Sequence, residues 1–329
     1  MLISPLNWGL GHITRTIPVI DFLKRKNNEV MICCDAQQEK VYRNYFPDLW
    51  YIPHEGYPFR FKGDGNWNKE MLRNIFGLSS FMAEEKKRVE ILISKFFPDL
   101  IISDQRFGFR SSKVKSVIIS HQLNLPVPAW NIIGKKWNET LLSKFDEVWI
   151  PDFQNRELSG SLSDSKLRNI SFLGMCSRFQ RDSIDKFIPR KHHFSYLGIV
   201  SGPPPYSSRF MEMLIRKFSE QDEACVIIAE KIDHSSINGN EGNITFVESP
   251  DHNHFLELIL ASDTVVSRSG YSTLMDLKAT GNRAILIPTP GQFEQEYLAD
   301  HHAGNDCWNF LSEREFERIS LNEVLSLRF

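Results

Sequence analysis

The chain of 329 residues is long enough for two domains of ordinary size, and its 41% hydrophobic and 24% charged residues are typical of a globular protein. A net charge of −2 gives no reason to expect nucleic acid as a partner, and no apolar stretch reaches transmembrane length. The five cysteines form no C-x-x-C pair and no signal peptide is evident, so we expect reduced thiols in a cytoplasmic protein, not a disulfide framework or a zinc ribbon.

Apolar runs of strand length alternate with helix-period segments along nearly the whole chain. In chain order the runs are MLISPL, EVMICCD, DLWYI, DLIISD, KSVIIS, EVWIP, NISFLG, FSYLGIVSG, EACVIIAE, NITFVES, DTVVS and RAILIP. This alternation predicts an α/β protein with doubly wound parallel sheets. We expect two Rossmann-like domains, 1–185 and 186–329, facing a cleft and joined by a linker at 177–193. The last residues, ISLNEVLSLRF, are expected to form a helix that returns to the first domain.

A glycine-rich loop, NWGLGH at 7–12, lies between the first strand and the first predicted helix. A dinucleotide site needs G-x-G-x-x-G/A and an acid about 20 residues later. Gly9 and Gly11 fit this pattern and Asp35 ends the second strand, but the branched Thr14 stands at the third small position. An NAD-dependent oxidoreductase is therefore kept as an alternative.

His12 stands at the start of the first helix, where the helix dipole disfavours the imidazolium form. A neutral imidazole in that position can act as a base. Asp104, at the end of the fourth strand, could orient His12 by accepting its other ring N–H, or could cap a helix or a turn. His121 and Gln122 follow the fifth strand and are candidate ligand contacts at the same sheet edge. The alternative for His12 is a structural role, capping or packing under the loop.

Residues 67–88 combine an apolar helical stretch with Lys86, Lys87 and Arg88 at its end. Such a segment could lie on an anionic membrane surface as a peripheral contact. The alternative is a helix that packs into the core and ends in a solvated charged turn.

In the second half, a loop at 201–205 follows the strand FSYLGIV, and the backbone N–H groups of Ser201 and Gly202 could hold a phosphate together with Arg209. Phe255 could pack on the base of a nucleotide or belong to the core. The histidine pairs have no third ligand at credible spacing and no D-x-D motif is present, so we expect no metal site.

The richest segment is 267–296. It contains a polar turn, a helix at about 272–280, a glycine stop at Gly281 and a second strand, and such a helix start can bind phosphate. Gln292 and Gln295 lie in a second polar cluster, expected at the same sheet edge. Alternatively, Thr273 and Asp276 could form an ordinary capping box.

Residues 264–300 resemble the donor-binding half of GT-B glycosyltransferases of the MurG type (glycosyltransferase family 28, which adds GlcNAc to lipid I). That family carries R-S-G-x-x-T-x-x-E/D, then G-x-P-x-x-x-x-P and a Gln-rich turn. The matches here are Arg268, Ser269, Gly270, Thr273, Asp276, Gly281, Pro288 and Gln295, while Asp276 replaces the usual Glu and Asn282 the usual Pro. The loop W-G-L-G-H-x-x-R, completed by Arg15, also resembles predicted bacterial glycosyltransferases.

The resemblance implies a UDP-sugar as donor substrate with no cofactor, bound by the domain 186–329 with Gly11 as a further donor contact. It implies a lipid-linked, sugar or small-molecule acceptor on the side of the domain 1–185, contacted by His121 and Gln122. It further implies an inverting, metal-independent transfer in which His12 deprotonates the acceptor, or contacts the donor phosphates, and Arg268 stabilises the leaving diphosphate. A hydrolysing nucleotide-sugar 2-epimerase of the same architecture and a non-catalytic sugar-nucleotide sensor are further alternatives.

Overall fold

The computed structural model describes residues 1–58, 67–126, 132–179, 184–185, 193–232 and 242–327. The chain forms two compact units. The N-terminal unit comprises Met1–Arg60 and Met71–Arg178, and the C-terminal unit is formed mainly by Phe179–Phe329. The boundary between the two units thus falls between residues 178 and 179, whereas the boundary predicted from the sequence lies between residues 185 and 186. Most of the linker predicted at 177–193 lies outside the described residues.

The N-terminal unit contains a parallel seven-stranded sheet in the order β3-β2-β1-β4-β5-β6-β7. Its strands are β1 (Leu2–Pro5), β2 (Met31–Cys34), β3 (Trp50–Pro53), β4 (Leu100–Asp104), β5 (Lys115–Ile119), β6 (Glu147–Ile150) and β7 (Ile170–Phe172). Its helices are α1 (Leu10–Arg25), α2 (Ala36–Arg43), α3 (Trp67–Phe96) and α4 (Ile132–Leu142), with a 3₁₀ turn at Gly160–Ser163.

The strand order of this sheet reverses between β1 and β4, which pair directly with Pro5 opposite Asp104. The chain leaves β1 toward one side and β4 toward the other, so the loops after these strands diverge at their carboxyl ends. Such a switch point is where doubly wound sheets bind ligands. It brings the loop that carries His12 next to Asp104.

The C-terminal unit contains a parallel six-stranded sheet in the order β10-β9-β8-β11-β12-β13. Its strands are β8 (Phe194–Val200), β9 (Cys225–Ala229), β10 (Ile244–Glu248), β11 (Ser262–Ser267), β12 (Arg283–Leu286) and β13 (Trp308–Phe310). Its helices are α5 (Tyr206–Ser219), α6 (His252–Leu260), α7 (Tyr271–Thr280), α8 (Phe293–His301), α9 (Glu313–Arg318) and α10 (Leu321–Leu327). The switch point of this sheet lies between β8 and β11.

The predicted α/β class with two parallel sheets is confirmed, and all twelve apolar runs form strands. Gly281 ends α7 in the left-handed conformation with φ 74°, as expected of a glycine stop. The capping-box alternative is wrong, because α7 begins at Tyr271 with Gly270 as its N-cap and Thr273 already lies inside the helix. The short strand β13 had not been predicted.

The last helix, α10, packs into the core of the C-terminal unit, where Leu321 and Val324 are buried with Phe316 and Phe218. The expectation that this segment returns to the first domain is therefore corrected. Burying both side chains against apolar neighbours removes their surface from water, which favours this placement.

The segment 67–88 belongs to the long helix α3, whose side chains the structure describes from residue 77 onward. Leu78 is buried with Leu6 and Tyr57, and Glu85 is also buried. The described face of α3 thus packs into the unit, as the core alternative expected. Among the residues the structure describes, no helix is long and apolar enough to cross a bilayer.

Candidate functional site

The glycine loop of the N-terminal unit leads directly into α1. Gly9 is the N-cap with φ 68° and ψ −179°, a conformation that favours glycine, and α1 begins at Leu10. His12 therefore lies in the first helical turn, with its side chain 16% exposed. Thr14 is buried and its hydroxyl donates to the Gly11 carbonyl at 3.1 Å. The helix start thus holds the imidazole close to the carboxyl edge of the sheet.

Behind His12 lies a buried cluster centred on Arg15. Its Nε donates to Asp104 Oδ1 at 2.9 Å and to Oδ2 at 3.0 Å, and its Nη2 also contacts Oδ1. Arg15 Nη2 lies 2.7 Å from His12 Nδ1, and Nη1 lies 3.1 Å from His121 Nδ1. Asp104 Oδ2 is 3.1 Å from His12 Nδ1. Three successive sheet-edge loops thus meet at one guanidinium.

The charges of this cluster set the protonation of its members. Burial lowers the pKa of His12 most strongly, the Arg15 charge lowers it further, and Asp104 raises it; the pKa stays below the ordinary histidine value. Burial alone would raise the pKa of Asp104, but the Arg15 charge and the contacts with His12 hold it below its usual range. At neutral pH the imidazole is therefore neutral and the carboxylate ionised.

The cluster contains three residues predicted to belong to the site, His12, Asp104 and His121, together with Arg15, for which no role was predicted. His12 and Asp104 are adjacent, as the orienting hypothesis required, while their catalytic roles stay predictions. His121 is 3% exposed and faces Arg15, so its described contact is internal rather than toward an acceptor. Gln122 is half-buried and its carbonyl accepts a hydrogen bond from Asn138 at 2.9 Å.

Arg15 had been recognised only as part of a motif. Its spacing of three residues from His12 places both on one helix face, a signal that was available in the sequence.

The acid required by the dinucleotide alternative serves another purpose. Asp35 caps α2: its side chain accepts from the backbone N–H of Gln37 at 3.0 Å and of Gln38 at 2.9 Å. A carboxylate engaged in this way supports the helix rather than a ribose. This weakens the case for NAD.

A second buried network supports the loop before His12. Glu85 of α3 accepts from Arg106 Nε at 2.7 Å and from the Tyr57 hydroxyl at 3.1 Å, and its Oε1 lies 3.2 Å from His54 Nε2. The Tyr57 backbone N–H donates to Asn7 Oδ1 at 2.9 Å. The network therefore ties α3 and the loop after β3 to the first residue of the glycine loop.

In the C-terminal unit, Arg268 follows β11 but points into the protein. It is 4% exposed, its Nη2 donates to Glu313 Oε1 at 2.6 Å, and its guanidinium lies 4.3 Å from the centre of the Phe210 ring. Its Nη1 donates to the Ile287 and Pro288 carbonyls at 3.4 and 3.3 Å. These contacts join the loops after β11, β12 and β13, and they favour a supporting role for Arg268 over direct phosphate contact.

Ser269 and Gln295, both predicted to bind the donor substrate, connect the loop after β11 with the region after β12. The Ser269 hydroxyl, which is fully buried, donates to the Gln295 carbonyl at 3.1 Å, and Gln295 Oε1 accepts from the Thr289 N–H at 2.8 Å. The side chain of Gln295 is therefore used to fix the loop after β12. Gln292 is half-buried and is the N-cap of α8.

The start of α7 can serve as an anion site. Gly270 is its N-cap, so the first N–H groups of the helix point toward the carboxyl edge of the sheet. Thr273 and Asp276 lie three residues apart on one side of α7, half-buried and buried. Their spacing agrees with a helix that receives a phosphate at its start and a ribose one turn further on.

The loop after β8 lies next to this helix start in the sheet order, because β8 pairs with β11. Ser201 is half-buried, Gly202 is exposed with φ 97°, and Arg209 of α5 is exposed. Gly202 and Arg209 are thus accessible to solvent and to a ligand.

Phe255 is placed in the core. It is 4% exposed on α6, and its ring centre lies 5.7 Å from that of Phe179. The structure thus favours the core alternative over stacking on a nucleotide base. Within the described ranges, no group of three or more His, Cys, Asp or Glu side chains could hold a metal ion.

Comparison with known proteins agrees with this geometry. Residues 229–326 match the glycosyltransferase family 28 C-terminal domain. A protein of Listeria monocytogenes named UDP-N-acetylglucosamine–N-acetylmuramyl-(pentapeptide) pyrophosphoryl-undecaprenol N-acetylglucosamine transferase is 23% identical over 319 residues, covering 90% of this chain and 79% of the relative. A protein of the same kind from Bacillus thuringiensis is 21% identical over 306 residues, covering 89% and 78%.

Solved structures of glycosyltransferases share the fold. The spinosyn rhamnosyltransferase SpnG complexed with thymidine diphosphate gives a TM-score of 0.66 at 13% identity, covering 99% of this chain and 91% of that one. SnogD from Streptomyces nogalater gives 0.63 at 16% identity, covering 98% and 87%. The chain thus has the GT-B fold with a glycosyltransferase family 28 C-terminal domain, and its predicted resemblance to the MurG type is confirmed.

Proposed function

We propose that the protein is a glycosyltransferase that moves a sugar from a UDP-sugar to an acceptor hydroxyl. The observation that carries this proposal is the start of α7, where the R-S-G-x-x-T-x-x-D segment is built into a helix N-terminus at the switch point of the second sheet. This segment lies in the part of the chain that matches the family 28 domain.

The C-terminal unit holds the donor. Backbone N–H groups at the start of α7 and in the loop after β8 bind the diphosphate, because the first N–H groups of a helix have no carbonyl partner within the helix and a loop of this kind can present its N–H groups to an anion. Asp276, one turn into α7, accepts hydrogen bonds from ribose hydroxyls. Arg268 keeps these loops in place through Glu313 and the two carbonyls it binds.

The N-terminal unit supplies the base. The acceptor hydroxyl gives its proton to His12 Nε2 while its oxygen forms a bond to the anomeric carbon of the donor sugar. The bond from that carbon to the phosphate oxygen breaks, and UDP leaves with both electrons. Attack from the face opposite UDP inverts the anomeric configuration. Asp104 orients the imidazole, because its Oδ2 lies 3.1 Å from His12 Nδ1 and can accept a hydrogen bond from Nδ1–H.

The transfer is metal-independent in this proposal. The developing negative charge on UDP is taken up by the α7 dipole and by oriented N–H groups, which act without a divalent cation.

The acceptor is a lipid-linked or small-molecule hydroxyl, and the reaction takes place in the cytoplasm. Relatives named for a pyrophosphoryl-undecaprenol acceptor support the lipid-linked choice. For such an acceptor the protein would associate with the inner face of the membrane through 67–88. The structure limits this contact to side chains not already buried in α3, such as the exposed Lys87.

The test is product analysis with a panel of UDP-sugars and EDTA present. Wild-type protein should release UDP and form a glycoside only when an acceptor is added, and His12→Gln should bind UDP without forming product. Release of free sugar without acceptor would indicate a 2-epimerase or hydrolase instead. UDP binding with no turnover for any acceptor, and no phenotype of His12→Gln, would indicate a sensor.

A further inference from the structure

Arg15 is the most completely engaged cation of the N-terminal unit's candidate site. It is 2% exposed, it holds Asp104 through Nε and Nη2, and its two terminal nitrogens face the Nδ1 atoms of His12 and His121. A simple histidine–carboxylate pair would need none of these contacts. Arg15 therefore alters both the electrostatic effect of Asp104 on His12 and the hydrogen bonds between them.

Three polar side chains from three different elements face His12. Arg15 comes from α1, Asp104 from the end of β4 and His121 from the loop after β5. Two further buried groups of the cluster stay neutral: burial raises the pKa of Tyr42 well above its ordinary value and that of Cys176 to about 12. The Arg15 charge thus opposes the attraction that the Asp104 carboxylate exerts on a proton at His12, and it acts in the same direction as burial.

The hydrogen bonds of His12 Nδ1 are mutually exclusive. A guanidinium only donates, so a bond from Arg15 Nη2 requires a lone pair on Nδ1, whereas a bond to Asp104 requires a proton there. The distances are 2.7 Å to Arg15 and 3.1 Å to Asp104. Only the form with Nδ1–H toward Asp104 leaves Nε2 able to accept a proton, so in that form Arg15 Nη2 must donate to Asp104 Oδ1 and not to Nδ1.

We propose that Arg15 is a positioning residue for His12, whose guanidinium offsets the Asp104 carboxylate and keeps the imidazole neutral where a plain histidine–carboxylate pair would be protonated. A neutral ring is the form that can accept a proton from an acceptor. The consequence for transfer rests on the proposed function, but the effect on the imidazole does not.

The direct test is an NMR titration of the histidine rings in the full chain without nucleotide, with the His12 signal assigned from a His12→Gln spectrum. The His12 midpoint should rise in Arg15→Met, because Asp104 then faces the ring alone, and should fall in Asp104→Asn. Arg15→Lys keeps the charge and should leave the midpoint low. Arg25→Met is the matched control, since Arg25 is exposed at the end of the same helix and pairs with Asp21.

An unchanged midpoint in Arg15→Met would overturn the proposal. Because that variant leaves Asp104 buried without its partner, it could fail to fold, and the double variant Arg15→Met/Asp104→Asn then serves. Its midpoint should lie above that of Asp104→Asn alone, since it differs only by losing the Arg15 charge. Equal midpoints in these two proteins would refute the proposal as well.

The pH profile separates this role from a merely structural one. In Arg15→Met, transfer should fall roughly 10-fold or more at pH 6.5 but by less than about threefold at pH 8.5, where the ring is again neutral. A uniform loss at every pH would contradict the proposal. If no UDP-sugar supports transfer, the proposed function is wrong. The NMR titration still tests the effect of Arg15 on His12, because it needs no nucleotide.

Discussion

Replacing Arg268 by methionine removes a charge that holds three loops of the donor unit and keeps most of the aliphatic stem. Removing one partner of a buried ion pair costs about 3–5 kcal/mol. The Glu313 side chain is 31% exposed, so solvent screens part of this energy, while the lost contact with Phe210 adds about 0.5–2 kcal/mol. We expect the free energy of unfolding to decrease by about 2–4 kcal/mol, which lowers the melting temperature by about 5–15 °C.

The assay is thermal unfolding followed by UDP titration at a temperature where the variant is folded. We expect the loss of stability together with a decrease in UDP affinity of less than about tenfold, because the loops still bind phosphate through their backbone. Arg216→Met is the control: its side chain is exposed and pairs with the exposed Glu317, so stability should change by less than about 1 kcal/mol and UDP affinity should not change. Wild-type melting of Arg268→Met combined with a much larger loss of UDP affinity would refute the supporting role and make Arg268 a direct phosphate ligand.

His12→Gln should lower turnover by roughly 10²–10⁴-fold, since it removes a general base, and should leave UDP affinity within about threefold of wild type. Wild-type turnover in initial-rate assays would remove His12 from the mechanism. Stability should depend on pH through His12 and His54, because burial lowers the pKa of both while the unfolded chain titrates near 6.5. The unfolded state then binds more protons as the pH falls below about 6.5, so the free energy of unfolding should decrease there, by at most about 1.4 kcal/mol per pH unit for each histidine. Urea denaturation at pH 7.5 and 5.5 checks the sign. The free energy of unfolding should decrease less between these pH values in the double variant His12→Gln/His54→Gln than in the wild type. An equal decrease in both proteins would show that these histidines do not cause the pH dependence.

Most of the fold was readable from the sequence because parallel strands buried on both faces appear as continuous apolar runs. Each of the twelve predicted strands had such a run. Trp308–Phe310 was missed because it has only three residues with a polar Asn309 at its centre. The last helix was assigned to the wrong unit, since its apolar positions do not say which core they enter.

The candidate site was predicted in position but not in orientation. The sequence placed His12, Asp104 and Arg268 at the carboxyl edges of their sheets, where the structure has them. It could not show that Arg268 turns inward to Glu313, 45 residues away in the chain, or that Phe255 packs on Phe179. Contacts of this kind depend on tertiary packing, which local patterns do not encode.

Asp104 illustrates the same limit for electrostatics. Asp104 alone would raise the pKa of a neighbouring histidine, but burial and the Arg15 charge together keep the pKa of His12 below its ordinary value. The i, i+3 spacing of His12 and Arg15 was visible, yet its meaning depends on Asp104, which arrives from 89 residues further along the chain.

The donor class is tested most directly by calorimetric titration of the purified protein with UDP, with GDP, TDP and NAD run in parallel and EDTA present throughout. The account predicts that UDP binds without metal and more tightly than the other nucleotides, because the backbone N–H groups at the start of α7 hold the diphosphate. Binding of NAD alone, or binding of no nucleotide diphosphate, would contradict it.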